Sequence, residues 1–84
     1  MLIQRGSDFV VDYGRLTPLE QRQVDRRISL LAENLRHPSL QTRRWRGTDL
    51  WYARVNRDIR LFFEVFEEHY LLVAVGHHDI ERRM

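Results

Sequence analysis

Two arginines and a histidine in the C-terminal half carry side chains that could bind a phosphate and transfer a proton. Arg54 and Arg60 stand in neighbouring apolar segments, and His78 follows the next one. A guanidinium presents planar N–H donors that match phosphate oxygens, and imidazole titrates near neutral pH. These residue types suggest an anion site with an acid–base group, provided that the fold brings them together.

Three segments rich in aromatic and β-branched residues would position these side chains. They run from Leu50 to Val55, from Ile59 to Phe66 and from Tyr70 to His77, with short polar connections, and this pattern predicts three antiparallel strands. Side chains two apart on a strand share a face. One face is almost entirely apolar and is expected to pack on helices: Trp51, Ala53, Val55, Ile59, Leu61, Phe63, Val65, Leu71, Val73 and Val75.

The opposite face of this sheet, called the far face below, would carry the arginines. Three-residue connections at Asn56–Asp58 and Glu67–His69 keep the two faces consistent. The resulting register places these pairs directly opposite one another: Arg54 and Arg60, Tyr52 and Phe62, Arg60 and Gly76, and Phe62 and Ala74. His78 would then close the last strand, diagonal to Arg60.

Two like charges directly opposite on a sheet repel each other, so this register needs an explanation. One explanation is an anion site, since Ala74 and Gly76 would leave the surface low enough for a ligand. The other is a solvated face on which the arginines lie flat over Tyr52 and Phe62. The sequence leaves both open.

The N-terminal half is predicted to supply a short strand and two helices. Met1 to Gln4 could form the strand, and Ser7 could cap a helix over Asp8 to Arg15 with Phe9 and Val10 on its buried side.

Thr17, Pro18 and Glu20 form a strong helix-start signal, and the helix should run to about Asn34. Its buried face would carry Val24, Ile28, Leu31 and Leu35. The predicted fold is therefore α+β, with one domain over residues 1–84: a short strand, two helices, and a three-strand meander with the helices on one face.

Other charged residues have simpler interpretations. The run from Arg43 to Arg46 includes Trp45, which we expect in the core, while Arg46 could equally contact phosphate or lie in an exposed loop. The helix arginines, interleaved with carboxylates, predict a solvated helix surface: Arg15, Arg22, Arg26 and Arg27.

The composition limits the classes of function. The 84 residues include no cysteine, which excludes disulfides and thiolate chemistry, and the 14 basic residues are all arginine. The longest apolar run, Leu71 to Val75, is too short for a membrane span, so we expect a cytoplasmic location without membrane contact. His77 and His78 would point to opposite faces of a strand, which argues against a metal site.

Over nearly its whole length the chain resembles toxins of the RelE/ParE superfamily. The resemblance rests on Trp51–Val55, on Asp58–Leu61 and on Val75–Asp79. The Gly-His-His-Asp ending of the last segment resembles the RelE-like branch. Two features depart from the family's pattern: Arg82 stands where many relatives have tyrosine, and the sequence ends at Met84 without the C-terminal helix of some relatives.

The resemblance implies a type II toxin that cleaves mRNA, usually at the ribosome, and that a cognate antitoxin inhibits. No cofactor or metal is implied, since the RNA 2′-hydroxyl can attack the adjacent phosphate. Arg54, Arg60 and His78 match the family's catalytic positions, with the arginines stabilising charge and the histidine transferring protons. Further RNA contacts are expected from five residues: Arg46, Tyr52, Arg57, Phe62 and Arg82.

Two alternatives remain on sequence alone. The same fold could serve a ParE-like toxin that binds gyrase without catalysis, or a degenerate module that binds only an antitoxin or RNA. Assays of RNA cleavage with and without ribosomes separate these classes.

Overall fold

The chain forms two helices and five strands, and the computed structural model describes residues 1–84. Two short 3-10 helices, Pro38–Leu40 and His78–Arg83, complete it, and the second is called the C-terminal turn below. In chain order the other elements are β1 (Leu2–Arg5), α1 (Ser7–Gly14), α2 (Pro18–Glu33), β2 (Arg43–Arg44), β3 (Leu50–Arg54), β4 (Ile59–Val65) and β5 (His69–His77).

The strands form one mixed sheet in the order β1-β5-β4-β3-β2. The predicted α+β class and the antiparallel meander β3-β4-β5 are confirmed. The meander gains a strand at each edge, because β1 pairs in parallel with β5 and β2 pairs antiparallel with β3. After β1 the backbone passes close to β5 at Gly6, whose N–H donates to the Leu72 carbonyl at 2.9 Å. Glycine is needed there because a Cβ would lie 2.8 Å from the same oxygen.

Helix α1 differs from the sequence-based prediction at two residues. Ser7 is its first helical residue rather than its cap, and the capping residue is Gly6. Val10, which was predicted to be buried, is 55% exposed, because the inward face of the helix carries Phe9 and Asp12. A buried carboxylate at position 12 was not expected from the sequence, and a partner from the far end of the chain compensates its charge, as described below.

Helix α2 begins with the predicted capping box. The Thr17 hydroxyl accepts a hydrogen bond from the Glu20 N–H at 3.2 Å, and the Glu20 carboxylate accepts one from the Thr17 N–H at 2.9 Å. The bond from the Thr17 backbone is the main reason why the pKa of Glu20 is lowered. His77, whose Nε2 lies 3.3 Å from the Glu20 carboxylate, lowers that pKa further.

The main core lies between the helices and the sheet face opposite the far face. It contains the predicted helix residues Val24, Ile28 and Leu31, with Leu35 packed at its border, and the predicted strand residues Ala53, Ile59 and Leu61. Neither helix combines the length and the apolar character that a membrane span requires.

A β-bulge changes the predicted faces of β5. The register pairs Phe62 with Ala74 but Phe63 with Leu72, so Val73 is the extra residue. Tyr70 and Leu72 therefore face the helices, whereas Val73, which was predicted to pack on the helices, packs on the far face.

The hairpin between β4 and β5 explains the error. The Phe66 N–H donates to the His69 carbonyl at 2.9 Å, which leaves a two-residue connection at Glu67–Glu68 instead of the predicted three. The shorter turn shifts the register by one residue, and the bulge restores it at Phe62.

The C-terminal turn folds back over the far face. Ile80 packs above Gly76, where a Cβ would lie 3.3 Å from Ile80 Cδ1. Arg83 Nη2 donates to the Asp12 carboxylate at 2.8 Å, and the same oxygen accepts the Val75 N–H at 3.1 Å. The space left by Gly76 and Ala74, predicted to be open to a ligand, is thus partly filled by the protein itself.

The capping box gives a stability prediction. Thr17→Ala should lower the free energy of unfolding by about 1 kcal/mol, because the Glu20 N–H loses its acceptor. The measurement is urea unfolding, with the exposed mid-helix change Ser29→Ala as the control, expected within about 0.5 kcal/mol of wild type. Equal losses in the two variants would contradict a specific role for the cap.

The same box predicts a pH dependence. The folded-state pKa of Glu20 is lowered, so its carboxylate stabilises the folded protein fully above the ordinary glutamate pKa. This contribution disappears as the pH falls through the lowered pKa. The stability difference between wild type and Glu20→Gln should therefore shrink over that acidic range in urea unfolding.

The Asp12–Arg83 pair predicts how the C-terminal turn is held. Asp12→Ala should cost about 1–3 kcal/mol, because the buried Val75 N–H loses its acceptor. It should also accelerate amide hydrogen exchange over residues 78–83. Arg82→Gln, which changes the exposed neighbouring arginine, should leave both quantities unchanged. Unaltered exchange in Asp12→Ala would mean that the pair does not hold the turn.

Candidate functional site

The far face carries a cleft of about 210 Å³ that brings the two predicted arginines together. Arg54 and Arg60 are directly opposite each other on β3 and β4, as the sequence register predicted. Tyr52 also lines the cleft, as the predicted far-face position required. Three residues to which the sequence assigned no role complete the lining: Gln41, Arg43 and Glu81.

Backbone and amide oxygens orient the guanidiniums without neutralising them. Arg60 Nη1 lies 3.3 Å from the carbonyl oxygens of Asn56 and Arg57, and Arg54 Nη1 donates to the Gln41 Oε1 at 3.2 Å. Gln41 has a φ of 48°, a left-handed conformation that costs a non-glycine residue about 1 kcal/mol or more. This strained residue holds its side-chain oxygen against Arg54.

No carboxylate pairs with the three arginines of the cleft. The ion pairs of the protein are Arg44 with Asp49, His77 with Glu20 and Arg83 with Asp12. Positive charge therefore remains available in the cleft for an anion. Glu81 is the one acidic side chain in its lining, and it forms none of these ion pairs.

Arg43 reaches the cleft because β2 pairs with β3. It lies opposite Tyr52, whereas the next residue, Arg44, points the other way and lies over the Trp51 ring at 5.4 Å. The residue types of this segment do not alternate, and β2 is only two residues long, so the sequence carried no signal for this strand or its faces.

An aromatic cluster supports the cleft from one side. Trp45 packs edge-on against Phe62, with centroids 5.5 Å apart, and against Tyr52 at 5.9 Å. Trp45 is therefore half-buried in a second apolar cluster on the far face, not in the main core. Phe62 is fully buried beneath this cluster, so its ring is not accessible for the RNA contact that was expected from the sequence.

The C-terminal turn positions the residues around His78. His78 was predicted to close the last strand, but β5 ends at His77 and His78 is the first residue of the turn. It is exposed there and does not line the cleft. In a 3-10 helix, side chains at i and i+3 project from the same side. Ile80 and Arg83 face the protein, and His78 accordingly shares its side of the turn with Glu81. The sequence did not predict this turn, so Glu81 could be identified only from the structure.

The remaining predicted contact residues are exposed around this region. Arg46 lies in the turn before β3 with its guanidinium 5.9 Å from the Trp45 ring centroid. Arg57 lies at the tip of the β3–β4 connection, and Arg82 lies on the outer side of the C-terminal turn. No three carboxylate or imidazole side chains come together in an arrangement that could hold a metal ion.

A separate cleft of about 410 Å³ lies between α1 and the C-terminal turn. Asp12 and Arg83 line it, but they bind each other at 2.8 Å. This cleft is the place where the C-terminal turn attaches to α1 through the ion pair of Asp12 and Arg83.

Comparisons with known proteins show what the architecture resembles. No family model and no curated protein sequence matches the chain. Among solved structures, a YoeB/ParE toxin from Agrobacterium tumefaciens is 13% identical, with a TM-score of 0.80, over 93% of this chain and 99% of that one. RelE in its complex with the antitoxin RelB from Methanococcus jannaschii is 13% identical, with a TM-score of 0.78, over 95% of both chains.

A third solved structure extends this set. YafQ from E. coli is 16% identical, with a TM-score of 0.75, over 94% of each chain. At identities this low the similarity concerns the fold, and it spans nearly the entire length of each protein. The chain has the fold shared by the YoeB, RelE and YafQ toxins.

Proposed function

We propose that this protein is the toxin of a type II toxin–antitoxin system and that it cleaves mRNA within the far-face cleft. The observation that carries the proposal is the unpaired cluster of Arg43, Arg54 and Arg60 beside a single carboxylate, Glu81. Such a cluster suits a phosphodiester and a reaction that moves protons around it. The shared fold with toxins of this kind supports the same function.

The arginines act on the phosphate. Guanidiniums that are already oriented bind the scissile phosphodiester and stabilise the additional charge of the pentacovalent transition state. Because carbonyl and amide oxygens hold Arg54 and Arg60 in place, little reorganisation is needed during the reaction. Their repulsion is relieved when the anion binds between them.

The reaction uses the nucleophile of the RNA. The 2′-oxygen forms a bond to phosphorus while the bond to the 5′-oxygen of the next nucleotide breaks. Glu81 accepts the proton of the 2′-hydroxyl, and His78 in its protonated form donates one to the leaving 5′-oxygen. The products are a 2′,3′-cyclic phosphate and a 5′-hydroxyl, and no metal ion or covalent enzyme intermediate takes part.

Exposed residues around the cleft would contact the flanking nucleotides. Tyr52 offers a half-buried ring for stacking, and Arg46, Arg57 and Arg82 offer guanidiniums for phosphates or base faces. Arg82 stands where many RelE-like toxins have tyrosine, and it can stack or bind phosphate but cannot transfer a proton at neutral pH.

The proposed partners follow from the same function. A cognate antitoxin would bind and inhibit the protein. RelE with RelB and YoeB with YefM form such toxin–antitoxin complexes, which supports a partner of this kind. The substrate would be mRNA, engaged at the ribosome in the cytoplasm. Cleavage of mRNA there represses translation.

We expect variants of the cleft arginines to lose cleavage activity but to remain folded. Arg54→Gln and Arg60→Gln should each reduce the cleavage rate by at least about 10²-fold, in line with removing an oxyanion-stabilising donor. The assay uses purified protein and mRNA, with and without ribosomes, and Arg36→Gln is the exposed control. Unfolding of either cleft variant, or cleavage at the wild-type rate, would contradict the anion site.

The chemistry has its own controls in the same assay. EDTA should leave cleavage intact, and a 2′-deoxy substitution at the cleavage site should abolish it. Cleavage of the 2′-deoxy substrate would refute attack by the 2′-hydroxyl. Absence of cleavage under all conditions, with growth inhibition retained, would favour a gyrase-binding toxin, and absence of both would favour a module that only binds.

Both proton-transfer groups should be needed for cleavage. Glu81→Gln and His78→Gln should each reduce the rate by about 10²–10⁴-fold, because an amide cannot transfer the proton. Glu67→Gln, in the distant β4–β5 hairpin, is the matched control. Cleavage by Glu81→Gln at the wild-type rate would exclude Glu81 as the base.

A further inference from the structure

Two arginines bind the β3–β4 connection from opposite faces of the sheet. On the far face, Arg60 Nη1 lies 3.3 Å from the carbonyl oxygens of Asn56 and Arg57. On the helix face, Arg27 Nε donates to the Val55 carbonyl at 3.2 Å. Successive carbonyls of one short connection thus hold one guanidinium from the cleft and one from α2.

The connection itself is rigidly held. The Asn56 side-chain oxygen accepts the N–H groups of Asp58 and Ile59, both at 2.8 Å, and its amide donates to Gln23 on α2 at 2.9 Å. The positions of Arg27 and Arg60 relative to each other are therefore determined by hydrogen bonds and not by loop flexibility.

A groove of about 590 Å³ lies on the helix side of this connection. Its lining contains no carboxylate, and most of its side chains are polar: Gln23, Arg26, Arg27, His37, Ser39 and Asn56. Neither arginine forms an ion pair, and the neighbouring Asp25 instead accepts the Tyr13 hydroxyl hydrogen at 2.8 Å. The sequence had suggested an ordinary solvated helix surface here.

His37 adds a hydrogen-bond donor to the groove. Its Nδ1 accepts the Ser39 N–H at 3.2 Å, so in the neutral ring the proton resides on Nε2. The groove therefore offers two guanidiniums and an imidazole N–H, with little apolar surface. That combination suits a phosphodiester backbone better than the apolar face of a peptide helix.

We infer that this groove binds phosphates of the same RNA strand whose scissile phosphate occupies the far-face cleft. The strand would leave the cleft at Arg60, pass the exposed Arg57 at the tip of the connection, and enter the groove at Arg26 and Arg27. The inference rests on the proposed function and adds a second binding site to it. It requires long RNA to bind more tightly than short RNA.

The test measures binding of 2′-O-methylated RNA, which keeps every phosphate but lacks the attacking hydroxyl. Strands of about 4 and about 16 nucleotides span the usual range of single-strand sites. Arg26→Gln should weaken binding of the long strand and reduce its log–log salt slope by about 0.7, the value for one phosphate contact on a single strand. Binding of the short strand should not change.

The control is Arg22→Gln, which removes the same charge one turn earlier on α2, outside the groove. It should leave both strands and the salt slope as in wild type. Equal effects of Arg22→Gln and Arg26→Gln would mean general charge attraction and would overturn the inference.

Further outcomes distinguish a failure of the groove as an RNA site from a failure of the proposed RNA cleavage. If wild type cleaves RNA but binds both strands with the same affinity and slope, the groove is not an RNA site and the cleft remains. If Arg26→Gln weakens only the complex with the antitoxin, the groove is a protein interface instead. If wild type neither binds nor cleaves RNA, both proposals fail together.

Discussion

The buried carboxylate of Asp12 is the interaction on which the candidate site depends. Removing a carboxylate from water costs several kcal/mol, and it persists here because Arg83 and the Val75 N–H both bind the same oxygen. The bond joins α1 to residues near the end of the chain. It holds Ile80 over Gly76 and thereby places Glu81 beside the arginines.

The far face combines a small apolar cluster with a charged cleft. Phe62, Ala74 and Ile80 are buried there, and Trp45 and Tyr52 pack at the border. This second cluster has 3 buried residues, against 13 in the main core between sheet and helices, so its share of the apolar burial is small. Its effect is positional, because it fixes the cleft wall at Tyr52 and supports the C-terminal turn from below.

The opposed pair Arg54 and Arg60 is an arrangement that lowers the stability of the sheet. Two like charges face each other across β3 and β4, and no carboxylate pairs with either. Neutral oxygens from Gln41 and from the β3–β4 connection orient them instead. Such neutral acceptors leave the net charge in place, which a binding site for a phosphodiester requires.

Local patterns in the sequence determined most of the framework. Thr17, Pro18 and Glu20 predicted the start of α2, since a capping box involves residues three positions apart. Alternation along β3 and β4 predicted that Arg54 faces Arg60, because parity and a short connection leave few registers. The α+β class followed from the same periodicities.

Only the tertiary structure decided the features that depend on contacts between distant residues. The bulge at Val73 and the two-residue turn at Glu67–Glu68 compensate each other, so neither leaves a trace in the local pattern. The burial of Phe62 and the place of Glu81 depend on the C-terminal turn folding back. That turn is held by Asp12, 71 positions away from Arg83, and no local rule of propensity or spacing extends so far.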